Sequence, residues 1–161
     1  MMPKKIVIVG GVAGGASAAA RARRLSETAK IIVVERGRYV SFATCGLPYF
    51  IGREVAKRDQ LLLHTPDSLR ARFNLDVRVM TEVVRIDREA QAIELRDFRF
   101  GARYRESYDA LVLSPGAAPL KPPIPGIDRP GHFTVRTVPD VEAIAAWIDS
   151  YQAHRAVVVG G

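Results

Sequence analysis

A glycine-rich turn between a strand and a helix constrains this chain more than any other feature of its sequence. Four β-branched residues in a row, Ile6–Val9, are typical of a strand that is buried on both faces. Glycines follow at positions 10, 11, 14 and 15, and the alanine-rich stretch 16–25 predicts a helix that packs closely on a sheet. A second buried strand, Ile31–Val34, ends at Glu35. The pattern predicts a strand–helix–strand unit with parallel strands.

This arrangement is typical of a dinucleotide-binding fold. The turn must be tight, and no Cβ atom can stand where the backbone approaches a pyrophosphate bound at the helix N-terminus. Glu35, twenty positions after Gly15, is placed to accept hydrogen bonds from the ribose hydroxyls of an adenosine. The usual G-x-G-x-x-G pattern has glycine where this chain has Val12, whereas Gly10 and Gly15 keep the outer positions. We therefore predict an α/β, Rossmann-like domain with a parallel sheet.

The composition bounds the class of protein. A chain of 161 residues with 48% hydrophobic and 25% charged residues is globular and long enough for one ordinary domain. The net charge of +7 suits a phosphate-rich ligand. The arginines are scattered and no basic motif is interleaved with aromatic residues, so we expect no nucleic-acid partner. No apolar run approaches the roughly 20 residues that span a bilayer, and no signal peptide follows Met1. We expect a cytoplasmic protein without membrane association and without a metal site.

The only cysteine, Cys45, lies in the run SFATCGLPYFIG over residues 41–52. Proline at position 48 is well tolerated in the first turn of a helix, which places Cys45 at or just before a helix N-terminus. Backbone N–H groups there stabilise an anion such as a thiolate. The alternative is that Cys45 is a small apolar residue in a core, as most free cysteines are.

Further along the chain, Thr65 is predicted to cap a helix that runs to about Phe73. Alternating apolar residues then predict a small antiparallel sheet inserted at about 76–108. A buried strand follows Tyr108 and breaks into a Pro/Gly turn, and a last helix runs from Thr137 to Tyr151.

The last seven residues, RAVVVGG, repeat KIVIVGG at an offset of 150. We therefore predict that residues 1–154 form the N-terminal part of one dinucleotide-binding domain. Residues 155–161 would then be the first strand of a truncated second domain, and the chain would be the N-terminal fragment of a longer protein.

These motifs together resemble the flavin-dependent pyridine nucleotide–disulfide oxidoreductases. SFATCGLPY, with the glycine turn before it and YDALVLSPGAAPLKPPIPG after it, is similar to the coenzyme A-disulfide reductase branch, over essentially the whole chain. The resemblance implies that the first domain binds FAD, that a second binds NAD(P)H, and that Cys45 is the redox-active residue. It also implies a set of FAD-binding residues: Gly10, Gly11, Val12, Ala13, Gly14, Gly15, Glu35, Arg36, Val83, Ser114, Pro115 and Gly116.

The resemblance also implies a substrate, coenzyme A disulfide or persulfide, and a homodimer in the full-length protein. Its substrate-binding residues would be Ser17, Arg21, Arg24, Ser41, Thr44 and Arg72. The typical motif has Asn at the position of Thr44. The three arginines suit the phosphates of coenzyme A, because guanidinium groups match phosphate oxygens, or they form an ordinary solvated face.

Relatives with an internal disulfide carry a second cysteine five residues after the first, where this chain has Phe50. Oxidised Cys45 must then be a mixed disulfide with an outside thiol, or a sulfenic acid. The rival within the family is an NADH oxidase or peroxidase, whose members usually have histidine at the position of Ala13. A non-catalytic flavin-binding module is the alternative from another class. We expect the isolated chain to show no NAD(P)H-dependent activity.

Overall fold

The computed structural model describes residues 3–160. These residues form two compact units, which are described separately. The first unit consists of the chain up to residue 42 together with 62–116, and the second of 43–61 together with the chain from 117 onwards.

The first unit contains a four-stranded parallel sheet built on the predicted strand–helix–strand unit. Strand β1 (Lys5–Val9) is followed by helix α1 (Gly14–Leu25) and strand β2 (Lys30–Val34). The strand order is β3-β2-β1-β7, with β3 at Asp76–Arg78 and β7 at Ala110–Leu113. All three pairings are parallel, which confirms the predicted fold class.

The residues of β1 and β2 alternate between two cores. Ile8, Ile31 and Val33 pack on one side against Ala19 of α1 and Leu69 of helix α3 (Pro66–Phe73). On the other side, neighbouring residues of the same strands pack against the small second sheet. Both faces of the parallel sheet are therefore covered, which explains why its strands are continuous apolar runs.

The small sheet is antiparallel, with order β4-β5-β6 over Thr81–Asp87, Ala92–Asp97 and Arg103–Ser107. The predicted insertion at about 76–108 was wrong at its start. Residues 76–78 pair with β2 in the parallel sheet, because Val77 is buried in the core beneath α3. The chain then turns at Met80, whose φ is +54°, and the insertion begins at Thr81.

The predicted strand after Tyr108 exists, but it is not buried. As β7 it lies at the edge of the four-stranded sheet, and Leu113 is 58% exposed.

The second unit carries the cysteine. A 3-10 turn at Thr44–Gly46 leads directly into helix α2 (Leu47–Ile51), and another 3-10 turn spans Arg58–Leu61. Helix α4 (Val138–Tyr151) packs against α2. The predicted N-cap Thr65 is confirmed, since it forms a capping box with Ser68. The predicted helix start at Thr137 is also confirmed, and Thr137 forms a capping box with Asp140.

The chain after α4 is exposed. Residues 153–160 lie outside any strand, and Gly161 lies outside the described residues. The second dinucleotide-binding domain therefore stays a prediction. Among the described helices, none combines the length and the apolar character needed to cross a membrane.

Candidate functional site

The glycine turn is shaped by backbone atoms that leave no room for side chains. Gly10 has φ +93°, and a Cβ there would lie 2.7 Å from the carbonyl carbon of Ser114. A Cβ on Gly15 would lie 2.8 Å from the carbonyl carbon of Gly10 and still closer to its oxygen. The turn is therefore as tight as the sequence predicts, and it brings the start of α1 against the end of β7.

The N-terminus of α1 has no anionic partner of its own among the described residues. Its N-cap, Ala13, has no side-chain acceptor, and its first turn carries no acidic residue. A Cβ on Gly14 would lie 2.5 Å from the Ser114 hydroxyl oxygen, so that hydroxyl borders the same turn. The first N–H groups of this 12-residue helix thus have no acceptor from its N-cap side chain or from an acidic first turn, which fits a bound anion such as a pyrophosphate.

Glu35 is held by two backbone donors. One carboxylate oxygen accepts the N–H of Gly11 at 2.8 Å and the other accepts the N–H of Gly37 at 2.7 Å. Each oxygen keeps a second acceptor position, so the oriented carboxylate can still bind ribose hydroxyls. The acid and the glycine turn, twenty-four residues apart in the chain, therefore meet at the carboxyl end of the sheet.

The other predicted FAD-binding residues also lie in the first unit. Arg36 is exposed and its guanidinium lies 3.9 Å from Glu82, whereas Val83 is half-buried in β4 and packs into the core beneath the small sheet. Pro115 and Gly116 follow β7, and Gly116 has φ +71°.

The segment before the cysteine is fastened to the glycine turn. The N–H of Ser41 donates to the Gly11 carbonyl at 3.0 Å, and the Ser41 carbonyl accepts the N–H of Leu63 at 2.9 Å. Ser41 is buried and has φ +47°, a conformation that costs a non-glycine residue about 1 kcal/mol or more. These two hydrogen bonds hold the strained residue, and no pattern in the sequence predicts the strain.

Cys45 is exposed and lies in the 3-10 turn directly before α2, as predicted. Leu61 packs against Gly46, where a Cβ would lie 2.9 Å from its methyl carbon. Phe50, at the position of a second cysteine in disulfide relatives, is half-buried in α2. The thiol is thus accessible to an external sulfur, in the turn that precedes a helix of five residues.

The predicted substrate-binding residues divide between the units. Ser17, Arg21 and Arg24 are exposed on one face of α1, and Arg72 is exposed on α3 above the Phe73 ring at 5.4 Å. Within the described part of the chain, none of these three arginines forms an ion pair. Thr44 is also exposed but belongs to the second unit.

Residues 4–161 match the family model described as pyridine nucleotide-disulphide oxidoreductase. The chain belongs to this family. It is 40% identical over 157 residues to coenzyme A disulfide reductase of Staphylococcus haemolyticus, covering 98% of this chain and 35% of that protein. The chain thus spans about a third of the length of the curated relatives it matches.

Two solved structures extend the comparison. The chain is 53% identical to reduced CoADR-RHD of Bacillus anthracis with a TM-score of 0.90, covering 93% of this chain and 27% of that one. It is 36% identical to an NAD-dependent persulfide reductase of A. fulgidus with a TM-score of 0.87, covering 91% and 27%. The predicted family resemblance is confirmed.

Proposed function

We propose that this chain supplies the FAD-binding and thiol-bearing part of an NAD(P)H-dependent oxidoreductase that reduces coenzyme A disulfide or persulfide through Cys45. The observation that carries the proposal is an exposed, single cysteine with Phe50 in place of a resolving thiol. The similarity to a coenzyme A disulfide reductase supports the substrate class. The proposal includes assembly of the natural protein into a homodimer.

The glycine turn and Glu35 would hold the cofactor. The free N–H groups at the start of α1 would bind the pyrophosphate, and the Glu35 carboxylate would bind the adenosine ribose. Ser114 and Gly116 would border the turn, and backbone near Val83 would line the site. When bound, FAD supplies a two-electron carrier between NAD(P)H and a thiol–disulfide couple.

The Cys45 thiolate would attack one sulfur of coenzyme A disulfide. A bond forms between Cys45 Sγ and that sulfur, the substrate S–S bond breaks, and coenzyme A leaves as a thiolate that takes up a proton. With a persulfide, the same attack on the sulfur bonded to carbon releases hydrosulfide instead. Either way Cys45 is left as a mixed disulfide with coenzyme A, and two electrons from NAD(P)H with one proton restore the thiolate and release a second thiol.

The charge distribution supports a phosphate-bearing substrate. Arg21, Arg24 and Arg72 present guanidinium groups to solvent, where they could bind the phosphates of coenzyme A. Ser17, Ser41 and Thr44 would contribute hydroxyl or backbone contacts. The rival chemistry, peroxide cleavage through a sulfenic acid, lacks support here because Ala13 provides no imidazole. Similarity to a persulfide reductase keeps the persulfide as an alternative substrate.

Mass spectrometry and kinetics of the natural protein test the proposal. We expect oxidised coenzyme A to add one coenzyme A to Cys45 and nothing to a Cys45→Ser variant. We expect that variant to lose NAD(P)H-dependent reduction of coenzyme A disulfide at least a thousandfold, because the nucleophile is gone. Thr28→Ser, at an exposed position outside the proposed site, is the control. Wild-type disulfide turnover by Cys45→Ser, or peroxide turnover that exceeds disulfide turnover in the parent, would contradict the proposal.

A further inference from the structure

Arg23 differs from its basic neighbours on α1. Its guanidinium donates to the backbone: Nε to the Phe73 carbonyl at 2.9 Å and Nη2 to the Asn74 carbonyl at 2.9 Å. Its Nη1 donates to the carbonyls of Ser26 at 3.1 Å and Glu27 at 2.6 Å. Arg23 is half-buried, whereas Arg21 and Arg24 are exposed. One guanidinium group thus satisfies four carbonyl oxygens.

These four carbonyls belong to two helix ends. Ser26 is the C-cap of α1, and Asn74 is the C-cap of α3, with φ +48°. Carbonyl groups at helix C-termini lack intrahelical donors and carry partial negative charge, so a cation is favoured there. Only the planar five-donor fork of arginine can bind both ends together, because lysine is a point donor. Arg23 therefore clamps the last turn of α1 to the last turn of α3.

The clamp lies next to two cations that lack ion-pair partners within the described residues. Arg24 directly follows Arg23 on α1, and Arg72 directly precedes the clamped Phe73 on α3. The Arg72 guanidinium rests over the Phe73 ring, so its position depends on the residue whose carbonyl Arg23 holds. Arg24 and Arg72 therefore extend from two helix ends that the Arg23 guanidinium holds together.

We propose that Arg23 is a positioning residue for phosphate recognition. It fixes the spacing between Arg24 and Arg72, so that both guanidinium groups can bind the phosphates of one coenzyme A moiety. The inference takes its substrate, coenzyme A disulfide, from the proposed function. It adds to the proposed site a residue, Arg23, that does not itself contact the substrate. Cations that are already in position bind a polyanion without the free-energy cost of ordering their side chains and helix ends. If the end of one helix were loose, that cost would have to be met on binding.

Kinetics of the natural protein with two substrates test the inference. Pantethine offers the same disulfide as coenzyme A disulfide but lacks the phosphates. For Arg23→Lys and Arg23→Met we expect KM for coenzyme A disulfide to rise on the order of tenfold, the scale of one lost charge-assisted contact, with kcat unchanged. KM for pantethine should stay within about twofold of the parent value. Arg70→Met, on α3 with only an exposed ion pair to Asp67 at 3.8 Å, is the control and should change neither constant.

Further outcomes of these measurements decide the role of Arg23. In an Arg24→Met/Arg72→Met background, replacing Arg23 should not raise KM again, because Arg23 acts through those residues. Parental KM in Arg23→Lys would mean that Arg23 supplies only charge, and equal losses with both substrates would mean a merely structural role. Either result would overturn the inference. A parent protein that reduces pantethine but not coenzyme A disulfide would overturn the proposed substrate and the inference with it.

Discussion

Replacing Gly15 by alanine tests the geometry of the glycine turn, because two physical effects predict opposite signs. Gly15 is the second residue of α1, and its backbone is helical. In a helix interior, alanine is more favourable than glycine by about 1 kcal/mol, so propensity alone predicts stabilisation. The added Cβ, however, would lie 2.8 Å from the carbonyl carbon of Gly10 and 3.2 Å from Cγ2 of Ile8.

We expect the steric overlap to outweigh the gain in helix propensity, because the backbone atoms that the Cβ would contact cannot move freely. The Gly10 N–H is bonded to the Val34 carbonyl at 2.8 Å, and Ser114 N–H, beside the turn, is bonded to the Val9 carbonyl at 2.7 Å. The Gly10 carbonyl would have to retreat on the order of 1 Å to restore van der Waals contact. Overpacking of this kind costs about 1–3 kcal/mol where side chains can adjust, and we expect about 3–4 kcal/mol here because the neighbour is hydrogen-bonded backbone. Against the propensity gain, we expect a net destabilisation of about 2–3 kcal/mol.

Native-state hydrogen exchange of β1 and α1 amides measures this change within the natural protein. A loss of 2–3 kcal/mol corresponds to exchange about 30- to 150-fold faster for amides that exchange by unfolding of this region. Gly52→Ala is the matched control. It lies at the C-cap of α2 with φ −72°, and its Cβ would meet nothing closer than 3.6 Å. Unchanged or slower exchange in Gly15→Ala would refute the reasoning.

Two carboxylates give the remaining predictions. Burial raises the pKa of Glu106, but the hydrogen bonds from Lys5 and Arg78 outweigh it and hold that pKa below its ordinary value of 4.5. Its stabilising contribution is therefore complete above pH 4.5 and is lost as the pH falls through the lower folded pKa. Glu106→Gln should lower the free energy of unfolding at pH 7 by about 1–2 kcal/mol and should make the denaturation midpoint fall less steeply as the pH is lowered below 4.5. An unaltered acid-side slope of the midpoint against pH would disprove this. Glu35→Gln should weaken the binding of FAD about tenfold in a fluorescence titration, because an amide has one acceptor oxygen to share between the Gly11 N–H and the ribose hydroxyls. An unchanged affinity for FAD would count against a role of Glu35 in ribose binding.

The parts of the fold that sequence could predict are those fixed by local chemistry. The capping boxes at Thr65 and Thr137 need only residues within one turn. The strands β1 and β2 are predictable because burial on both faces requires an unbroken apolar run. The contact between Glu35 and the glycine turn was predictable because the spacing between them follows from the length of one helix and one strand.

The features that could not be predicted from the sequence depend on contacts between residues that are distant in the chain. Val77 sits in a stretch that alternates as an edge strand would, and only the core beneath α3 assigns residues 76–78 to the parallel sheet. The φ of +47° at Ser41 is imposed by hydrogen bonds with Gly11 and Leu63. Arg23 is one of three arginines within four residues, and nothing in that run distinguishes the side chain that turns to the backbone.

The departure at Val12 illustrates why a motif should be judged by its geometry. Val12 is not among the residues with positive φ, so its backbone does not require glycine. By contrast, a Cβ on Gly10 or Gly15 would collide with backbone, at Ser114 and at Gly10 respectively. The outer glycines are thus demanded by the strand–turn–helix itself, whereas a glycine at position 12 would only widen the approach to a ligand. Gly10 and Gly15 are therefore required by the fold, whereas the α1 N-terminus and the oriented carboxylate of Glu35 are the features that support the proposed FAD site.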